Sequence, residues 1–267
     1  MKIIIPMAGE GARFKEVGYN VSKPAIQTYD RRDGKLKPMV VLATNDLPGI
    51  ENDGTNITYI ERLFHRQDGT EKTIRDYFPK ASFITVDKLT EGQACTCLLA
   101  RDKIGLDDEL LIAGCDNGME YNLERFSKLK TSADVLVFTY RNNEAVLENP
   151  NAYGWMIVEG DDVRDISIKK AISESPINDH AVVATFWFRK GSIFINAAEK
   201  MIQCNDRVNN EFYVDQVIKY TLLAGYNVKV FEIDRYIGWG TPSDYENYQK
   251  TFEYWREFCK REQIFKS

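Results

Sequence analysis

The sequence predicts an α/β protein built on a mixed, mostly parallel sheet flanked by helices. Three observations predict it. An apolar run, Ile3 to Ile5, opens into a glycine-rich turn, Met7-Ala8-Gly9-Glu10-Gly11-Ala12-Arg13-Phe14, and a buried strand feeding such a turn is a common start for an α/β domain. Further β-rich runs at Met39–Leu42, Asn56–Ile60, Ser82–Val86 and Leu110–Ala113 alternate with helical patterns at Arg66–Phe78 and Gln93–Lys103. That alternation implies crossovers covering both faces of a parallel sheet.

Beyond Asp116 the rhythm changes. Strands are expected at Val135–Tyr140, Trp155–Val158, Val163–Lys169 and Val182–Arg189. Glu159-Gly160-Asp161-Asp162 reads as the turn between two of them, with Gly160 free to take a positive φ. Ser192–Gln203 is helical by pattern, and Phe212–Leu223 places Val214, Val217, Ile218 and Leu222 on one stripe. A late strand at Val228–Ile233 precedes a terminal helix at Tyr245–Gln263. There are no internal repeats and no low-complexity linker.

Bulk properties narrow the function classes. The chain has 267 residues, 43% hydrophobic and 28% charged, with a net charge of −5. A mildly acidic surface argues against broad binding to nucleic acid or anionic membrane. No run approaches the roughly 20 apolar residues of a bilayer span, and Pro6 ends an N-terminal apolar stretch too short for a secretory signal. The expected location is therefore the cytoplasm. The five cysteines, Cys95, Cys97, Cys115, Cys204 and Cys259, are odd in number and sparse, and only His65 and His180 are available beside them. They read as reduced thiols rather than a disulfide framework or a zinc site.

The glycine-rich turn carries chemistry. Gly9 and Gly11 let the backbone bend tightly and bring its N–H groups close to an anion. Arg13 adds a guanidinium fork suited to phosphate oxygens. Phe14 stands where G-x-G-x-x-G has its third glycine, and G-K-[ST] is missing, so neither a dinucleotide fingerprint nor a P-loop is present. Ten residues on, Lys23-Pro24 places a lysine that proline biases towards an extended backbone. Near a phosphate loop such a lysine can neutralise charge developing at phosphorus.

Taken in order, these residues resemble the sugar-phosphate nucleotidyltransferases, or nucleotide-sugar pyrophosphorylases. The resemblance begins with Ile3 to Phe14 and Lys23-Pro24. It continues through Thr90-Glu91-Gly92-Gln93-Ala94, Leu110 to Asn117, Pro150-Asn151-Ala152-Tyr153-Gly154-Trp155, and Gly240-Thr241-Pro242 with Asp244-Tyr245. It spans nearly the whole chain. It implies a Rossmann-like, GT-A-like fold in a single domain, 1–267, with a nucleotide-binding half (1–117) and an acceptor-binding half with the terminal helix (118–267).

The implied reaction is an in-line attack by an acceptor phosphate oxygen on the α-phosphorus of an NTP, with pyrophosphate leaving. The partners are an NTP, CTP or UTP being favoured, and a small phosphorylated acceptor. Neither nucleic acid nor membrane is expected, and a homo-oligomer is left open. The resemblance gives Ala8, Gly9, Gly11 and Arg13 to the phosphates, Lys23 to the α-phosphate and Gly92 to the base. Asp116 would bind Mg²⁺, a hard ion that favours carboxylate oxygen, and a strand's carboxyl end is where α/β sheets place ligands. Tyr153, Gly154 and Lys170 would meet the acceptor. Glu211 and Asp215, four apart on a predicted helix face, would bind its hydroxyls or amines.

The sequence departs from the family at three points. Ala12 replaces a Ser or Thr. Lys169 replaces the glutamate of the usual Glu-Lys pair, which implies a more anionic acceptor. No carboxylate precedes Gly240-Thr241, so the metal relies either on Asp116 and phosphate oxygens or on Glu211 or Asp215, and Trp239 is free to stack on substrate. These departures resemble a subgroup found in surface-polysaccharide biosynthesis. Two other readings compete. A glycosyltransferase would normally show Asp-x-Asp where this chain has Asp116-Asn117-Gly118. A non-catalytic nucleotide-binding protein would explain the missing second aspartate.

Overall fold

Ile3, Ile4 and Ile5 are all buried, because strand β1 (Lys2–Pro6) runs through the middle of a sheet covered on both faces. In this computed structural model, which describes residues 1–262, the first half continues with α1 (Ala12–Glu16), β2 (Gln27–Tyr29), β3 (Leu36–Pro38), α2 (Met39–Asn45) and β4 (Ile57–Arg62). It then runs through α3 (Leu63–Gln67), α4 (Thr70–Tyr77), β5 (Ser82–Val86), α5 (Gln93–Leu98) and β6 (Leu110–Ala113). The second half begins with β7 (Asn117–Glu120), α6 (Leu123–Lys130), β8 (Val135–Tyr140), α7 (Ala145–Glu148), β9 (Gly154–Glu159) and β10 (Asp162–Ile168). It closes with β11 (His180–Phe188), α8 (Gly191–Gln203), α9 (Val214–Leu223), β12 (Val228–Glu232), β13 (Arg235–Gly238) and α10 (Pro242–Arg261).

Nine strands form one sheet in the order β5-β4-β1-β6-β11-β8-β12-β10-β9. The first four are parallel, as are β8 and β12; the remaining neighbours are antiparallel. The sheet is thus mixed, and the expected parallel character holds chiefly for the first half. The cause is connection length. Parallel neighbours need long crossovers, whereas β9 and β10 are joined by only Gly160-Asp161, which forces an antiparallel hairpin. Gly160 adopts the expected positive φ, 61°.

Side chains alternate between two cores. Ile4 and Ile112 face one, with Phe186, Phe188, Phe194 and helices α5, α8 and α9. Ile3 and Ile5 face the other, with Tyr59, Phe126, Phe138, Trp155 and Trp187. A third, smaller core lies under the loops at the sheet's carboxyl edge and joins Phe14, Ile26, Met39, Leu42, Trp239 and Tyr245. No helix among the described residues is long and apolar enough to cross a membrane.

Several element expectations are corrected. Met39–Leu42 is not a strand but the start of α2, whose residues Met39 to Thr44 are all buried. A short run that is apolar all round carries no period to separate strand from helix. The single helix expected over Arg66–Phe78 is two, because Gly69 turns the backbone at φ 82° and the Asp68 carboxylate accepts from the Thr70 N–H at 3.0 Å. Helix α9 starts at Val214 rather than Phe212. The terminal helix starts at Pro242, where the Thr241 hydroxyl oxygen accepts from the Asp244 N–H at 3.1 Å. Gln263, its expected end, lies outside the described residues.

Candidate active site

The site forms where β1 and β6 end. After Pro6 the chain loops over the sheet's carboxyl edge, and the amides of Ala8, Gly9, Glu10 and Gly11 donate to no protein acceptor among the described residues. Gly11 makes the turn possible: its φ is 63°, and a Cβ there would press on the Cβ of Lys23 at 3.3 Å. Helix α1 is only five residues long, so the pull on an anion at this cradle would come from the loop amides more than from a helix dipole. Arg13 is exposed beside it and closes no ion pair among the described residues.

Lys23 reaches under that cradle. It begins a 3₁₀ turn, Lys23–Ala25, closed by the Ala25 N–H donating to Ser22 O at 2.8 Å; the extended residue is Ser22, not Lys23. Proline tolerates this place because its missing N–H is not needed at a helix start. The Lys23 ammonium donates to Asp116 Oδ2 at 2.5 Å and to the Gly240 carbonyl at 2.8 Å. Burial alone would lower its pKa, but the adjacent Asp116 carboxylate outweighs this and holds the amine charged, above its ordinary range. Asp116 is fixed by its backbone, whose carbonyl accepts from the Trp239 N–H at 3.0 Å. Strand β7 starts at the next residue and pairs with β13, Asn117 opposite Gly238. Both strands were missed by pattern, being four residues each, too short for periodicity to register.

The other wall is the segment from Leu89 to Thr96. Gly92 has φ 129°, and a Cβ there would collide with the Phe212 backbone N and O at 2.5 Å. That close approach lets Phe212 N–H donate to Glu91 O and Ala94 N–H donate to Phe212 O, both at 2.9 Å. The loop before α9 is thereby stitched to the Gly92 turn. A cavity of about 600 Å³ opens between the walls, large enough for a nucleotide. It brings together Ala8, Gly9, Gly11, Arg13, Lys23 and Gly92 with Glu211, Tyr213 and Gly240. Asp116 lies directly beneath, through Lys23, with its side chain 32% exposed.

The remaining candidate residues divide. Gly154 and Asp215 are adjacent, since a Cβ on Gly154 would overlap Asp215 Oδ2. Burial pushes the Asp215 carboxyl upward, with Lys169 opposing. Tyr153 is half-buried and its hydroxyl donates to Ala145 O at 3.3 Å. Glu211 and Asp215 do not share a helix face, because Glu211 precedes α9 in an irregular bridge with Val208. Lys170 is exposed, and it is Lys169 that turns inward. Trp239 is a further correction. It is 0% exposed and packs in the third core, its indole N–H without a partner, so it cannot stack on a ligand. A second cavity, about 490 Å³, lies beyond β13 and is lined by Tyr236, Gly238 and the acidic Glu144, Glu148 and Asp244. Of its lining, only Asp244 belongs to a motif singled out in the sequence.

A magnesium ion fits this donor set in one way. Among the described residues no three His, Cys, Asp or Glu side chains cluster as a metal cage. Asp116 offers one accessible carboxylate at the cavity floor, and Mg²⁺ is commonly held by one or two carboxylates, with phosphate oxygens and water completing the shell. Glu211 lines the same cavity, so it stands within the donor set beside Asp116 and the phosphate oxygens.

No family model and no curated protein sequence matches this chain. Solved structures match over nearly its full length. A nucleoside-diphosphate-sugar pyrophosphorylase from Vibrio cholerae RC9 superposes with a TM-score of 0.73 at 17% identity, covering 93% of this chain and 99% of that one. The chain has the fold of a nucleotidyltransferase. An inositol-1-phosphate CTP transferase from T. maritima gives 0.65 at 15% identity over 94% and 93% of the two chains. A UDP-glucose pyrophosphorylase complexed with UDP-glucose gives 0.68 at 17% over 96% and 98%. At such identities the likeness is one of backbone path, and the chemistry rests on the residues of the cleft.

Proposed function

We propose that this chain is a nucleotidyltransferase that moves a nucleoside monophosphate from an NTP to the phosphate of a small acceptor. The observation that carries the reading is the Lys23 ammonium, held between Asp116 and the Gly240 carbonyl at the floor of a glycine-walled cavity that Arg13 also lines. An oxygen of the acceptor phosphate attacks the α-phosphorus, the bond to the bridging oxygen breaks, and pyrophosphate leaves. The free amides of Ala8 to Gly11 bind the triphosphate. Arg13 neutralises the leaving pyrophosphate, and Lys23 stabilises charge at the α-phosphate. Mg²⁺ bound through Asp116 would supply further charge neutralisation at the phosphates.

The order β5-β4-β1-β6 supports a Rossmann-like, GT-A-like reading of the first half, since it places the third strand, second, first and fourth side by side. CTP or UTP is the favoured donor, in line with the CTP transferase and UDP-glucose pyrophosphorylase among the similar structures. A sugar phosphate or related phosphorylated acceptor for surface polysaccharide, in the cytoplasm, completes the reading. The test is pyrophosphate release with CTP, UTP, GTP, ATP and dTTP against a panel of phosphorylated acceptors at millimolar Mg²⁺. Release confined to one NTP and one acceptor class supports the proposal; no release with any pair overturns it.

A further inference from the structure

We infer that Lys169, rather than Lys170, holds the phosphate of the acceptor; the inference rests on the transferase reading above. Strand β10 ends at Ile168, and Lys169 takes a left-handed backbone, φ 57°, with its N–H donating to Tyr153 O at 2.9 Å. That conformation is uncommon for a residue with a Cβ and is held where the surroundings demand it. It breaks the alternation of the strand and turns Lys169, not its neighbour, inward.

The Lys169 ammonium donates to the Ala152 carbonyl and lies 5.5 Å from the centre of the Tyr213 ring, which itself lines the nucleotide cavity. Its charged neighbours are Asp215, Arg13 and Glu211, yet no carboxylate closes an ion pair with it among the described residues. Burial draws its pKa below the ordinary lysine range, and Asp215 opposes that fall. Lys170, in contrast, is exposed; its carbonyl accepts from the Ser167 hydroxyl at 2.7 Å, and its side chain has no partner among the described residues. Lys23 is neutralised by Asp116, while Arg13, which lines the cavity, and Lys169, whose neighbour Tyr213 lines it, close no ion pair among the described residues. An exposed Arg13 and a half-buried Lys169, neither closed into an ion pair among the described residues, favour an anion nearby. Lys169 stands beside Tyr153, whose carbonyl takes its N–H, and near Asp215, on the stretch that follows β10 rather than on the glycine-rich loop.

The experiment is calorimetric titration of inorganic phosphate into protein saturated with the α,β-methylene analogue of the NTP chosen by a thermal-shift panel. Saturation fills the donor half, so added phosphate reports the acceptor half. Lys169→Met is expected to weaken phosphate binding about tenfold or more, the size of a lost charge-assisted hydrogen bond. Lys169→Arg should recover most of it, and Lys170→Met should stay within about twofold of wild type. Loss on Lys170→Met instead, unchanged binding in Lys169→Met, or no phosphate binding by the wild-type protein each overturns the inference. In turnover, Lys169→Met should raise the acceptor KM while leaving the NTP KM unchanged; a merely structural role would move both. If wild type binds phosphate through Lys169 yet releases no pyrophosphate with any pair, the transferase reading falls and the anion site stands. If pyrophosphate is released and binding ignores Lys169, the reverse holds.

Discussion

Replacing Lys23 with alanine separates catalytic from structural contributions at the floor of the cleft. The substitution removes hydrogen bonds of 2.5 Å to Asp116 and 2.8 Å to Gly240. A fully buried pair broken on one side would cost about 3–5 kcal/mol by stranding a charge. Here Asp116 remains 32% exposed to the cleft and water can hydrate it, so the loss of stability should be nearer about 1 kcal/mol. For a chain of this size that corresponds to a Tm lower by roughly 2–4 °C. In the proposed reaction the catalytic loss should be larger, because the ammonium would act where charge develops. Removing one such contact typically costs about 2.7–4 kcal/mol, or roughly 10²–10³ in kcat. Pyrophosphate release measured beside a thermal melt distinguishes the two effects. A kcat within threefold of wild type, or a Tm drop beyond about 10 °C, refutes the reasoning, because Lys23 would then be a strut between Asp116 and Gly240.

Other perturbations probe separate parts of the structure. Gly92→Ala puts a Cβ against the Phe212 backbone at φ 129° and should destabilise by about 2 kcal/mol or more, with weaker NTP binding by calorimetry; unchanged melting would contradict the packing described. Trp239→Phe, in a fully buried site, should cost about 1–3 kcal/mol and leave the acceptor KM alone, whereas a tenfold KM rise at constant Tm would return Trp239 to the cleft. Glu61 is fully buried with one carboxylate oxygen unpartnered, and burial, then Glu71, pushes its pKa up to about 7. The unfolded value is about 4.3, so the folded state holds the extra proton. Its stabilisation, at most about 4 kcal/mol, is present below about pH 4.3 and is lost as pH rises through about 7. Melting curves from pH 5 to 8 should show that decline, and Glu61→Gln should flatten it. Chelation by EDTA should abolish pyrophosphate release and excess Mg²⁺ restore it; full activity in EDTA would remove the metal from the mechanism.

What could be read from the sequence follows the range of the interactions involved. Strands β6 and β8 fall where expected because each is a buried run bounded by turn residues, and β5, half-buried at the sheet's edge, because its short β-rich run is bounded in the same way. The glycine turn, Arg13, Lys23 and Gly92 line one cavity because their spacing encodes loop shapes that act locally. What escaped depends on distant partners. The Met39–Leu42 run shows its helix only when the third core surrounds it. Trp239 could be assigned to that core only once Phe14, Met39 and Leu42 were in place around it. The choice between Lys169 and Lys170 turns on one left-handed residue, which two adjacent lysines in a sequence do not announce.

The Lys23 ammonium joins residues 93 and 217 positions downstream. A ribosome must therefore have passed Gly240 before the second of those bonds can close. The nascent protein carries its glycine loop early but no complete floor beneath it until Gly240 has emerged. Ending translation before Gly240 should leave a product that retains much of the sheet yet never turns over, and cutting away the Gly240 segment of the finished protein should silence it from more than 200 residues away.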